Sequence, residues 1–127
     1  MAPRGSDASD AELEVLKTLW DKGAGTVHEV EAELERRGQR WAYTTIQTLL
    51  KRLQAKGLIA VNKASTPHVY EPAVTRESLL GQRLKDLARS VCDGTMAPLA
   101  HALVSQEHFT REEIQRFRKL LDKLDKK

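Results

Sequence analysis

A mainly α-helical chain, built as a winged helix-turn-helix followed by a three-helix region, is predicted by three features of the sequence. Capping-box spacings recur at Ser9-Asp10-Ala11-Glu12, Thr26-Val27-His28-Glu29 and Thr110-Arg111-Glu112-Glu113, each ahead of an apolar run of helical period. Between them the pattern switches to two short β-prone runs, Leu58-Ile59-Ala60-Val61 and Val69-Tyr70, around the turn-rich Asn62-Lys63-Ala64-Ser65-Thr66-Pro67-His68. Charge is also segregated. From Arg36 to Tyr70 there is no Asp or Glu, while Arg36, Arg37, Arg40, Lys51, Arg52, Lys56 and Lys63 add seven positive charges. The whole chain carries +3, so the rest of it sums to −4. One basic segment in an acidic remainder points to a polyanionic partner for that segment. The plainer alternative is a solvated face that is merely basic.

Residues 1–8 are rich in Pro, Gly, Ser and Asp and are expected to form a disordered tail. The winged domain then spans 9–74. Its first helix opens at the Ser9 capping box, turns Leu13, Leu16, Leu19 and Trp20 inward, and stops near Gly23. The second opens at Thr26, buries Val30 and Leu34 with Val27 on the same face, and ends before Gly38. His28, in its first turn, reads as a surface or phosphate-facing residue. The third helix carries Ile46, Leu49, Leu50 and Leu53 at the spacing of one buried face and ends at Gly57. Opposite that face lie Thr44, Thr48, Lys51 and Ala55, with Gln47 and Arg52 on the flanks and no carboxylate. Hydroxyls and amides read base edges, and Lys and Arg neutralise phosphates. Two short helices and a basic third make a helix-turn-helix with the third as reader.

The hairpin after Gly57 is the wing, with Lys63 at its tip as a phosphate contact. His68 either assists Lys63 or is a solvent-exposed strand residue. Arg40, Tyr43, Lys51, Arg52 and Lys56 complete the expected phosphate-binding set.

Residues 75–127 form the helical region. Thr75 caps a long helix with Leu80, Leu84, Leu87, Ala88 and Val91 on one side, and Gly94 interrupts it. A short helix from Met96 tolerates Pro98 in its first turn and shows Leu99, Leu103 and Val104. The last helix turns Ile114, Phe117, Leu120, Leu121 and Leu124 to one side. So much apolar surface on so few residues is hard to bury alone, and pairing with a second copy covers it. The alternative is a monomer whose helices fold back on the winged domain. The expected homodimer contacts are Leu80, Leu84, Leu87, Leu99, Leu103, Ile114, Phe117, Leu120 and Leu121.

Several function classes are excluded. No apolar run approaches the ~20 residues that span a membrane, so no membrane insertion is expected. Met1-Ala2-Pro3-Arg4-Gly5-Ser6-Asp7 lacks the apolar core of a signal peptide, which places the protein in the cytoplasm. Cys92 is the sole cysteine, which rules out an internal disulfide or a thiol metal cluster; it reads as a small core or interface residue, with a redox sensor as the alternative. No Ser-His-Asp or Cys-His arrangement and no phosphate-cradling Gly loop is visible, and His101 and His108 lack a third ligand. Neither enzymatic activity, nor a metal, nor a cofactor is expected.

Several stretches together resemble the BlaI/MecI penicillinase-repressor family. They are Ala11-Glu12-Leu13-Glu14-Val15-Leu16 with Leu19-Trp20, Thr26-Val27 with Glu29-Val30, Ala42 through Leu50, Arg52-Leu53 and Lys56-Gly57-Leu58. Weaker similarity continues through Tyr70-Glu71-Pro72, Asp93-Gly94 and the last helix. The resemblance implies a homodimeric repressor that recognises a palindromic DNA operator of the TACA/TGTA type. It places Thr44, Thr45, Gln47 and Thr48 at the base-reading positions. Some members carry basic residues at the first and third of these, where this chain has Thr44 and Gln47. Members from resistance systems are inactivated by cleavage in the dimerisation region after a membrane sensor-protease detects β-lactam. The aligned bond lies near Ala102-Leu103, in place of their Asn-Phe. A copper-responsive branch uses a C-terminal cysteine cluster, which a lone Cys92 does not supply. The competing function is a winged-helix protein-interaction module without a DNA role, and the acid-free face argues against it.

Overall fold

The computed structural model describes residues 8–126. Along them run α1 (Asp10–Lys22), α2 (Val27–Arg36), α3 (Tyr43–Ala55), β1 (Ile59–Asn62), β2 (Val69–Pro72), α4 (Arg76–Val91), α5 (Ala97–Gln106) and α6 (Arg111–Asp125). The expected disordered tail falls outside the described residues except for Ala8, which is buried.

All three predicted capping boxes form, because each needs only residues three apart in sequence. The Ser9 hydroxyl accepts from Glu12 N–H at 3.1 Å while the Glu12 carboxylate accepts from Ser9 N–H at 3.2 Å. Thr26 with Glu29 and Thr110 with Glu113 repeat the exchange. Gly23 ends α1 at φ 102, and Gly57 follows α3 at φ 76, a left-handed conformation that glycine adopts without a Cβ clash.

The core of the winged part is Leu16 and Leu19 from α1, Val30 and Leu34 from α2, and Ile46, Leu49, Leu50 and Leu53 from α3. Leu58, Ile59 and Tyr70 close it from the hairpin. The inward stripe of α1 is rotated from the expected one. Val15 and Thr18 are fully buried, while Leu13 and Trp20 lie half-buried at the edge. A helix of period 3.6 offers two adjacent apolar stripes here, and packing against α2 and α3 selects one. Thr18 donates its hydroxyl to the Glu14 carbonyl at 2.8 Å, which makes its burial affordable. Trp20 stays at the rim because its indole N–H donates to the Val74 carbonyl at 2.9 Å and Arg76 lies over its ring.

The strands pair antiparallel, with Ile59 opposite Pro72 and Val61 opposite Tyr70. Gly25 adds an unforeseen isolated bridge to Tyr70, with paired bonds of 2.9 and 2.8 Å. One residue of extended chain has no periodicity to announce it.

Two compact units divide between Leu87 and Ala88, within α4, rather than at the expected Val74–Thr75 junction. The early turns of α4 belong to the winged unit because Leu79 enters its core and Arg83 donates to the Ala8 carbonyl at 2.9 Å. In the second unit, α5 and α6 bury no residue, and Phe109 meets Phe117 edge-to-face at 5.1 Å. No described helix is long and apolar enough to cross a membrane.

Candidate nucleic-acid interface

Burying Ile46, Leu49, Leu50 and Leu53 fixes what α3 presents outward. Thr44, Thr45, Thr48, Lys51 and Arg52 are exposed, and Gln47 and Tyr43 are half-buried. Thr48 donates its hydroxyl to the Thr44 carbonyl at 3.0 Å. Its donor is therefore spent, and what it offers outward is a methyl group and an accepting oxygen. Gln47 and Tyr43 line a cleft with Thr26 and His28 from the start of α2 and with Pro67 and His68 from the wing. The His28 and Tyr43 rings lie 4.7 Å apart. Only the packing of α2 on α3 brings the two rings together, and His28 stays exposed.

The seven cations of the basic segment separate into two groups. Arg36 pairs with Glu33 at 2.8 Å, and Arg37 pairs with Asp21 and Glu33. Lys56, expected at phosphate, is instead drawn inward, its ammonium 2.7 and 2.8 Å from the two oxygens of buried Glu12. Arg40, Lys51, Arg52 and Lys63 are exposed and form no ion pair among the described residues. His68 is likewise exposed on the wing. The face that carries the exposed threonine hydroxyls thus carries unpaired cations and no acid, an arrangement able to neutralise phosphate and to leave base edges open to reading.

The acids pair with the cations of the first group. Hydrogen bonding from Arg37, with further help from Arg76, holds the Asp21 carboxyl below the usual carboxylate range. For Glu12, burial pushes upward, but the Lys56 ammonium and the Ser9 donors outweigh it and the net displacement is downward.

The expected dimer contacts behave as a group. Every exposed large hydrophobic side chain among the described residues lies between Leu80 and Leu124. Leu80, Leu84, Leu87, Leu103, Ile114, Phe117, Leu120 and Leu121 are all among them, and Leu99 is half-buried. Ala102 and Leu103 are both exposed on α5.

A model of the penicillinase repressor family matches residues 8–123. The penicillinase repressor of Bacillus licheniformis is 29% identical over 114 residues, covering 90% of this chain and 88% of that protein. The transcriptional regulator BlaI of Mycobacterium tuberculosis is 31% identical over 119 residues, covering 91% and 83%. Among solved structures, the DNA-binding domain of the repressor BlaI matches at 36% identity with a TM-score of 0.52, covering 61% of this chain and 93% of that domain. A winged helix whose third helix shows an acid-free outer face, matched along nearly its whole length, this chain belongs to the penicillinase repressor family of DNA-binding transcriptional repressors, proteins that act by binding and not by catalysis.

Proposed function

We propose that the protein is a cytoplasmic homodimeric repressor that grips a palindromic operator of the TACA/TGTA type. The observation that carries this reading is the outer face of α3, with three exposed threonines, a flanking amide and unpaired cations. Thr44, Thr45, Gln47 and Thr48 read bases in the major groove. Arg40, Tyr43, Lys51 and Arg52 hold phosphates beside the helix, and Lys63 and His68 hold the backbone under the wing. A single reader helix of this size covers few base pairs, so a second copy supplies the other half-site. The apolar residues that α4, α5 and α6 each leave exposed support pairing through residues 75–127, since exposed apolar side chains in such number mark an interaction site.

Repression is open to relief by proteolytic cleavage near Ala102-Leu103, in the dimerisation region, by a membrane sensor-protease system. The state of α5 supports this, because a helix with no buried residue opens locally at little cost and exposes its backbone to a protease. Footprinting on a duplex bearing the dyad tests the core of the proposal. Protection of both half-sites with two chains per duplex is expected. One protected half-site with one chain bound contradicts it.

A further inference from the structure

Glu12 serves two helices at once. Its carboxylate closes the capping box of α1, accepting from Ser9 N–H at 3.2 Å. The same carboxylate receives the Lys56 ammonium on both oxygens, at 2.7 and 2.8 Å. Glu12 is 2% exposed, and the Lys56 side chain is 29% exposed. Lys56 is the C-cap residue of α3, so this bond joins the first turn of α1 to the last of the reader helix.

Apolar packing alone leaves such a helix loosely specified. The buried face of α3 is one isoleucine and three leucines, and aliphatic contact is non-directional, so a small roll or slide changes the buried area little. A charge-assisted bond of fixed length is directional, and setting register is the best-attested use of buried ionic groups. Base reading makes the same demand from outside, since reading groups must sit within about 0.5 Å of their productive geometry.

We infer that the Glu12–Lys56 pair is a latch that sets the roll and axial position of the reader helix. It makes Glu12 a positioning residue for sequence discrimination, although its carboxylate lies beneath the surface. The inference rests on the reading of α3 as the base-reading helix. The competing role for Lys56 is direct phosphate contact, and the two roles differ in the sign of one effect.

Full-length E12Q and K56M are titrated against a duplex carrying the TACA/TGTA dyad and against a scrambled duplex at matched salt. Glutamine also satisfies a capping box, so E12Q removes the charge and little else. Losing a negative charge strengthens general attraction to DNA. The latch therefore predicts opposite movements: dyad affinity falls about tenfold while scrambled affinity holds or rises. K56M should lose dyad discrimination to a similar degree, and the double variant should lose no more than either single one. If E12Q keeps the full dyad preference of the wild type, the latch is overturned. K56M weakening both duplexes equally overturns it as well. A wild type with no dyad preference overturns instead the reading of α3 as base reader. Losing a charge partner also lowers stability, so each titration runs well below that variant's melting midpoint. Amide hydrogen exchange gives the second readout. The last turn of α3 should exchange faster in E12Q with α2 unchanged, and unaltered exchange in α3 contradicts the proposal.

Discussion

Thr48 has already used its hydroxyl hydrogen on the Thr44 carbonyl, and that single bond narrows what it can read. A methyl and an accepting oxygen suit a thymine methyl or a cytosine amine, whereas Gln47 can meet adenine with a bidentate amide. Thr48→Ala and Gln47→Ala should each cost about 1–3 kcal/mol on the operator and much less on scrambled duplex. Arg52→Ala should weaken both duplexes alike and make the salt slope shallower by about one per subunit. Paired titrations on the two duplexes check all three, and equal losses for Gln47→Ala on both would move the reading face elsewhere. Glu12 belongs to this scale too. Its folded carboxyl is displaced below the usual range, so its stabilisation is present above the unfolded value and lost as pH falls through the folded one. Acid should therefore lower the urea midpoint of the wild type more steeply than that of Lys56→Met. Glu12→Ala at neutral pH should cost about 2–4 kcal/mol, less than a fully buried pair because Lys56 keeps some contact with water.

At the scale of the element, signals that are local in sequence were legible and signals made by packing were not. The capping boxes of α1, α2 and α6 and the buried face of α3 stand as the sequence predicts, since residues three and four apart decide them. The stripe that α1 buries differs from the expected one at Leu13 and Val15, because two adjacent stripes are apolar and only α2 and α3 choose between them. The Gly25–Tyr70 bridge and the Glu12–Lys56 pair join residues about 45 apart, and no local pattern announces either. Of the candidate site, the threonines of α3 and four of the five Lys and Arg residues expected at phosphate are exposed, while Lys56 turns inward. Thr26→Ala should lower stability by about 1 kcal/mol, read as a drop in melting temperature, because the first turn of α2 loses its accepting hydroxyl. On α6, Phe117→Asp places a charge on the proposed seam, which is strongly unfavourable once water is excluded. Sedimentation should show the wild type as a dimer at micromolar concentration and this variant as a monomer with α1, α2 and α3 still folded. A monomeric wild type would remove the basis for the seam.

The whole molecule separates its two sticky surfaces by sequence. The basic window without Asp or Glu runs from Arg36 to Tyr70, and exposed large hydrophobics gather between Leu80 and Leu124. The first suits a polyanion and the second suits a like surface, the layout that the proposed DNA-binding homodimer calls for. Each bound phosphate releases counterions, and two subunits with several free cations apiece must show it together. The most direct test is the affinity of the wild type for the dyad duplex and its scrambled counterpart across a range of salt. The account predicts preference for the dyad at every salt concentration and a log–log slope steeper than about −3. A flat salt response, or equal affinity for the two duplexes, would contradict it.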